Sequence, residues 1–259
     1  MPKFSANLSM LFNEVDFLQR FRCAKEQGFT AIEYMFPYDY PLQALRTALE
    51  ENQLTQVLQN LPAGDWAAGE RGIACLPGRE SEFRDGVGMA VEYARGLGCT
   101  QINCLIGNPD KSLAQHKTDE IVVANLSYAA KELAKENIRL LVEPINKYDM
   151  PAFYLQTTRQ ALELMEWVGN PNLFIQYDIY HMQRMEGELT QTMENLLNKI
   201  AHIQVADNPG RHEPGSGEIN YDYIFSALDQ MGYSGWIGCE YKPATTTAAG
   251  LSWIKKYQN

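Results

Sequence analysis

Long apolar runs, a cysteine pattern and excess positive charge are all missing from this sequence. No stretch reaches the roughly 18 uninterrupted apolar residues of a membrane span, and the N-terminus has no extended apolar segment typical of secretory signals. The five cysteines include no CxxC pair, which favours reduced, mostly buried thiols over a disulfide framework. We therefore expect a soluble, cytoplasmic protein that does not contact membranes.

Basic residues are outnumbered. Lysine and arginine total 22 against 32 acidic residues, which gives a formal net charge of −10. The field of such a molecule does not attract nucleic acid or anionic lipid, so nucleic acid is not an expected partner. An anionic small-molecule substrate would instead depend on a local cationic pocket.

Short β-rich runs alternate with longer helical stretches along the 259 residues. Eight strands are predicted at residues 3–8, 31–36, 55–61, 101–106, 139–143, 173–178, 200–205 and 236–241. Helices are predicted at residues 15–27, 42–51, 80–97, 118–136, 160–168, 189–198, 223–231 and 248–257. Strands that alternate with helices predict a parallel sheet, and eight such units in roughly 250 residues favour closure. We predict an α/β fold, a (β/α)8 TIM barrel, as a single domain over residues 1–259.

One long insertion interrupts this alternation at residues 62–79, after the third strand. It is rich in glycine and alanine and contains Trp66 and Arg71. A loop of this length in a compact domain is usually functional or disordered. The tryptophan favours a functional loop, so we expect a lid over the barrel mouth.

Polar side chains end four consecutive predicted strands, the fifth to the eighth: Glu143, Asp178, Gln204 and Glu240. The active site of a TIM barrel lies at this end of the strands. Their oxygen atoms suit a hard divalent cation such as Mg²⁺ or Mn²⁺, and the set lacks the cysteine and histidine richness of a zinc site. Taken singly, each has a structural alternative: a strand-end glutamate is often solvated or ion-paired, and Asp178 can cap the next helix.

Six segments form a recognisable pattern: residues 7–12 (NLSMLF), 60–66 (NLPAGDW), 142–146 (VEPIN), 176–181 (QYDIYH), 202–207 (HIQVAD) and 238–242 (GCEYK). Through these segments the whole chain resembles the hydroxypyruvate isomerases, within the xylose isomerase-like barrel superfamily that also contains ketose 3-epimerases and AP endonucleases. The segments around residues 60–75 and 207–220 are the most specific. The strand-end acids alone would identify only the superfamily.

The resemblance implies two acid–base glutamates, Glu143 and Glu240, and a metal or polar cluster of Glu143, Asp178, Gln204 and Glu240. Many superfamily members have histidine where this chain has Gln204. A neutral amide oxygen binds a cation more weakly than imidazole binds a transition metal. We therefore expect a loosely held Mg or Mn ion and no organic cofactor.

The implied reaction interconverts hydroxypyruvate and tartronate semialdehyde (2-hydroxy-3-oxopropanoate) by moving a proton between C3 and C2 through an enediolate. Glu143 and Glu240 come from strands three apart in a ring of eight, so they face each other across the mouth. Two neighbouring carboxylates push their pKa values apart, so one can be protonated while the other is ionised. A cation, or His181 with Lys242, would stabilise the developing oxyanion.

Further residues are expected to bind the substrate. Arg71 in the predicted lid, Arg211 after the seventh strand and Lys242 after the eighth are candidate partners of its carboxylate, and arginine offers a bidentate match. Each of the three also fits an ordinary surface cation. Asn7, at the end of the first strand, is a candidate substrate contact.

Three other functions are weighed. A 2-oxo-tetronate isomerase or a related sugar-acid isomerase or epimerase is the nearest alternative, because the sequence leaves substrate length open. An AP endonuclease of this fold needs a trinuclear site rich in histidine, and this chain has only four histidines. A non-catalytic ligand-binding barrel would exchange no substrate protons. The sequence also leaves open whether the chain forms a homo-oligomer.

Overall fold

A closed barrel of parallel strands forms the centre of the molecule. The structure, a computed structural model, describes residues 1–257, and within them eight strands pair in chain order with the last closing onto the first. The strands are β1 (Lys3–Asn7), β2 (Ala31–Glu33), β3 (Thr55–Asn60), β4 (Gln101–Cys104), β5 (Arg139–Val142), β6 (Leu173–Asp178), β7 (Ile200–Val205) and β8 (Trp236–Cys239). The predicted TIM barrel is confirmed, and the last two residues of the predicted domain lie outside the described part.

Helices surround the barrel. Those of the described residues are α1 (Phe17–Glu26), α2 (Leu42–Asn52), α3 (Glu80–Leu97), α4 (Gln115–Ala134), α5 (Thr158–Val168), α6 (Ile179–Met185), α7 (Leu189–Leu196), α8 (Tyr221–Gln230) and α9 (Thr247–Gly250), followed by a 3-10 helix (Ser252–Tyr257). The sequence did not predict α6, and it predicted one final helix where the structure has two short ones. No helix between residues 1 and 257 combines the length and apolarity that crossing a membrane requires.

Local sequence signals mark the ends of several helices. Thr157 and Gln160 form a capping box at the start of α5, each side chain serving the other's backbone N–H. Gly98 and Gly169 end α3 and α5 in the left-handed conformation, at φ 69° and 60°, which glycine adopts at little cost. These signals place the strand that follows each helix.

The barrel interior changes from apolar to polar along the strands. One apolar cluster contains Leu58 and Leu141, with Phe174 and Trp236 packed against it. Because side chains alternate along a strand, Leu141 and Trp236 share their inward face with Glu143 and Glu240 further along. The lower barrel is therefore plugged by apolar side chains, and the polar ones gather at the carboxyl end.

The predicted lid region joins β3 to α3 without helix or strand. Its tip, residues 65–70, is largely exposed, whereas residues 72–75 are buried. Gly72 has φ 123°, and a Cβ there would lie 2.1 Å from the carbonyl oxygen of Leu105, so the chain needs glycine at this close approach. The second half of the loop is thus packed on the barrel, and a lid role for its tip stays a prediction.

The close contact of β8 with a buried carboxylate gives a stability prediction. A Cβ on Gly238 would lie 2.3 and 2.4 Å from the two carboxylate oxygens of Glu33. We expect Gly238→Ala to lower the free energy of unfolding by about 1–3 kcal/mol, the usual cost of overpacking a core. Urea unfolding measures this. Gly88→Ala is the matched control, because nothing lies within 4 Å of its Cβ position on α3, and alanine should stabilise that helix. Equal unfolding free energies for Gly238→Ala and wild type would contradict the inward orientation of Gly238.

Candidate active site

Three buried carboxylates and one arginine meet at the carboxyl end of the barrel. Glu143 directly follows β5, Asp178 ends β6 and Glu240 follows β8, and these residues are 5%, 0% and 7% exposed. Arg211 reaches them from the loop between β7 and α8. Its Nη2 donates to Glu240 Oε2 at 2.5 Å and lies 3.6 Å from Asp178 Oδ2. The guanidinium therefore sits among acids that would otherwise repel one another.

The two glutamates have raised pKa values. Burial, followed by the nearby charges of Glu240 and Asp178, raises the pKa of Glu143 well above 4.5. Burial also raises the pKa of Glu240 to about 7, although the positive charge of Arg211 opposes the shift. Carboxyl groups tuned in this way can hold and release a proton near neutral pH, as general acid–base chemistry requires.

Two side-chain amides contact Glu240. Asn7 Nδ2 lies 3.1 Å from Glu240 Oε1 and 3.1 Å from Glu33 Oε1. Gln204 Nε2 donates to Glu33 Oε1 at 2.8 Å and lies 3.4 Å from Glu240 Oε1. Each amide therefore joins the buried Glu33 to Glu240, and together they fix one Glu240 oxygen while Arg211 fixes the other.

Sequence reasoning missed Glu33. It is fully buried on β2 and also contacts His202 Nε2 at 2.9 Å. Burial disfavours its charge, but the interaction with His202 and the hydrogen bonds from His202, Gln204 and Ser5 together lower the pKa of Glu33. A lone acid between apolar residues 31–32 and 34–36 was the available signal. The contact that His202 makes here is with Glu33.

His181 enters the site on α6, which Asp178 caps. Asp178 Oδ1 accepts from the backbone N–H of Tyr180 at 2.8 Å, so the capping role is confirmed, while its Oδ2 is buried without a hydrogen-bond partner among the described residues. His181 Nε2 lies 3.5 Å from that orphaned oxygen and 3.9 Å from Glu143 Oε1. Burial, helped by the positive charge of Arg211, lowers the pKa of His181 well below 6.5, which favours the neutral ring.

The site fits a divalent cation in part. Glu143, Asp178 and His181 each offer a ligand atom, and these atoms lie within 4.8 Å of one another. The unpartnered Oδ2 of Asp178 is the kind of hard oxygen that Mg²⁺ or Mn²⁺ binds. The amide oxygen of Gln204 accepts from Gln176 Nε2 at 2.6 Å, and its role as a ligand stays a prediction. Ligation by Gln204 would therefore require its side chain to turn.

The other predicted cations lie apart from the carboxylates. The Arg71 guanidinium stacks on the Trp66 ring at 4.1 Å, and its Nη1 donates to the carbonyl oxygens of Trp66 and Glu70. Lys242 has an exposed side chain, and its backbone N–H donates to the carbonyl oxygen of Arg211 at 2.8 Å. Of the three candidates, the described structure brings Arg211 alone into contact with the acids.

Comparison with known proteins identifies the family of this chain. The family model described as a xylose isomerase-like TIM barrel matches residues 21–257. The chain belongs to this family. The hydroxypyruvate isomerase of Escherichia coli (strain K12) is 59% identical over 258 residues, which span 100% of both chains. The 2-oxo-tetronate isomerase of Cupriavidus necator is 45% identical over 257 residues, 99% of each chain.

A solved structure of the same family matches the whole fold. The crystal structure titled AP endonuclease, family 2, from Brucella melitensis has a TM-score of 0.97 and 46% sequence identity, and the match covers 100% of both chains. The family predicted from the six sequence segments is thus confirmed.

Proposed function

We propose that this protein interconverts hydroxypyruvate and tartronate semialdehyde, as an intramolecular oxidoreductase of the aldose–ketose type. The observation that carries the proposal is the pair of buried, mutually repelling glutamates, Glu143 and Glu240, whose pKa values are both raised. The identity of 59% to the E. coli hydroxypyruvate isomerase over the full length supports the choice of substrate. The same proposal makes the protein a cytoplasmic enzyme with a small-molecule substrate as its partner.

Two proton transfers at carbon, one from C3 and one to C2, account for the reaction. One glutamate, as carboxylate, removes a proton from C3, and the electron pair forms the C2–C3 double bond while the C2 carbonyl oxygen becomes negative. The other glutamate, protonated, then delivers a proton to C2. The hydroxyl proton of C3 passes to the negative C2 oxygen as the C3 carbonyl forms, so C2 gains its hydroxyl group, and atoms and charge balance. Either glutamate can take the C3 proton in this scheme, since β5 and β8 lie on opposite sides of the mouth.

Arg211 and His181 would stabilise the anionic species. Arg211 pairs with Glu240 and lies close to Asp178, and it can bind the substrate carboxylate or the enediolate. The neutral His181 can donate a hydrogen bond to the oxygen that becomes negative. Asn7 orients Glu240, while Arg71 and Lys242 would contact the substrate only if the lid tip and the β8 loop approach it.

A divalent cation would supply Lewis-acid stabilisation of the enediolate oxygens. Glu143, Asp178 and Glu240 would hold it, with Gln204 after rotation. Because Arg211 already pairs with Glu240, a cation competes with a resident positive charge, which supports the expectation of loose binding. We expect dialysis against a chelator to lower activity and added Mg²⁺ or Mn²⁺ to restore it. Full activity after rigorous chelation would contradict a metal requirement.

A side-by-side assay tests the proposed substrate. We expect the highest kcat/KM with hydroxypyruvate, a lower value with 2-oxo-tetronate and the lowest with free ketoses, all with and without added metal. The second candidate, a 2-oxo-tetronate isomerase, rests on the 45% identity to the Cupriavidus enzyme and would reverse the first two values. Absence of hydroxypyruvate turnover under both conditions would overturn the proposal. Cleavage of a DNA duplex with an abasic site at physiological salt would indicate an AP endonuclease instead.

A further inference from the structure

The hydrogen bonds of Asn146 fix the orientation of its amide. Asn146 is fully buried, and its Oδ1 accepts from the backbone N–H groups of Tyr148 at 3.0 Å and Asp149 at 2.9 Å. Its Nδ2 lies 3.0 Å from Asp149 Oδ2. An amide nitrogen cannot accept from two N–H groups, so the oxygen and nitrogen of this amide cannot be interchanged. The Nδ2 group of Asn146 is therefore a donor to everything near it.

This orientation decides where His181 carries its proton. Asn146 Nδ2 lies 2.6 Å from His181 Nδ1, so Nδ1 must be the acceptor and carry no hydrogen. A neutral imidazole has one N–H, which then belongs to Nε2. Nε2 is the nitrogen that faces Asp178 and Glu143. The ring thus presents a donor, and not a lone pair, to the centre of the site.

A metal-ligating histidine has the opposite environment. Such a residue offers the lone pair of one nitrogen to the metal and donates its other N–H to a carboxylate, a carbonyl or water. In this protein Nδ1, the His181 nitrogen that faces away from the site, instead accepts from the amide of Asn146. The spatial grouping of Glu143, Asp178 and His181 therefore contains two metal ligands of the expected kind and one hydrogen-bond donor.

We infer that Asn146 is a positioning residue that holds His181 in the Nε2–H tautomer, so that His181 donates to the substrate oxygen that becomes negative and does not ligate a cation. The catalytic part of this inference rests on the proposed isomerase function. The tautomer itself rests only on the contacts of Asn146, so the two can be tested separately.

Nitrogen-15 NMR of the full chain, free of substrate and metal, reads the tautomer directly. The His181 signals are identified by their loss in His181→Gln, and we expect a bare Nδ1 and a protonated Nε2. In Asn146→Asp, one carboxylate oxygen can still accept from the two backbone N–H groups while the other accepts from Nδ1, so we expect the tautomer to reverse. Asp149→Asn is the matched control, since its amide oxygen can still accept from Asn146, and it should keep the wild-type tautomer.

Two further readouts separate positioning from a merely structural role. Loss of one preorganised donor typically lowers kcat by about 10²-fold or more, and we expect this in Asn146→Asp with a much smaller change in KM. The reversed ring would offer a lone pair to the site, so the ratio of Zn²⁺ to Mg²⁺ affinity should rise by about 10-fold or more. The ratio cancels the effect of the added negative charge. Asp149→Asn should leave both quantities close to wild type.

Wild-type His181 protonated on Nδ1 would overturn the inference, and this measurement does not require Asn146→Asp to fold. A folded Asn146→Asp with wild-type kcat and an unchanged Zn²⁺ to Mg²⁺ ratio would overturn it as well. If NMR gives the expected tautomer but hydroxypyruvate is not a substrate, the assigned tautomer holds and the proposed reaction fails.

Discussion

Glu143→Gln and Glu240→Gln are each expected to lower isomerisation of hydroxypyruvate by about 10²–10⁴-fold, the usual contribution of a positioned acid or base. Glutamine keeps the shape and one oxygen of the carboxylate but cannot take up or release a proton near neutral pH. Both side chains are buried, so water cannot readily replace either of them. Steady-state rates at saturating Mg²⁺ or Mn²⁺ measure the loss, because saturation removes any effect on cation binding.

The two variants should differ in one respect. The variant that retains the base for C3 should still exchange deuterium from the solvent into that carbon of hydroxypyruvate. The other variant should neither exchange deuterium nor isomerise the substrate. Glu50→Gln is the control, since Glu50 lies in an exposed ion pair with Arg46. Isomerisation within about tenfold of wild type in either folded variant would leave a single-base proton transfer in place of the two-base scheme.

Arg211→Met should lower kcat/KM by about 10²–10³-fold, comparable to removal of an oxyanion-stabilising donor. It should also shift the pH profile. Arg211 lowers the pKa of Glu240, whose value is about 7 with the guanidinium in place. Without that charge the pKa of Glu240 rises further, so the carboxylate forms only at higher pH. The limb of kcat/KM against pH that reports Glu240, which is the acid limb if Glu240 is the base and the basic limb if it is the acid, should therefore move to higher pH.

Arg46→Met, which removes an exposed arginine, should leave the rate and both limbs unchanged. If both limbs stay in place or move to lower pH in Arg211→Met, Arg211 does not act on the ionisation of Glu240. A loss confined to KM, with both limbs unmoved, would leave Arg211 as a substrate-binding residue only.

The barrel and its carboxylates could be predicted because they follow from local pattern. Apolar strand runs ending in Glu143, Asp178 and Glu240 appear directly in the sequence, and parallel strands bring their carboxyl ends to the same edge. Several predicted strands extended one to three residues too far, because the apolar run in the sequence continues past the last residue of the ladder, as at Leu105 and Ile106. Helix α6 was missed because seven residues are too few to show a helical period.

The position of Arg211 could not be read from the sequence, because its loop is shaped by distant contacts. The carboxylate of Asp207 accepts from the backbone N–H groups of Asn208, Gly215 and Ile219. Arg211 itself has φ 57°, an uncommon conformation for a residue other than glycine. These features place a cation among the acids, and nothing in the local sequence around residue 211 predicts them.

Glu33 and Asn146 were missed for a related reason. The contact that matters for the site joins each of them to another element, Glu33 to Gln204 on β7 and Asn146 to His181 on α6, and each looks ordinary in its own segment. A buried polar residue is informative mainly through the partners that satisfy it. Those partners become known only with the tertiary structure.

The central claim, proton transfer through an enediolate between Glu143 and Glu240, is tested most directly by running the wild-type reaction in deuterium oxide. Proton transfer predicts that tartronate semialdehyde carries solvent deuterium at C2, and that hydroxypyruvate recovered before completion carries deuterium at C3. A direct hydride shift between the two carbons would keep the original hydrogen. Product with no deuterium at C2, formed at the full enzymatic rate, would contradict the two-glutamate mechanism.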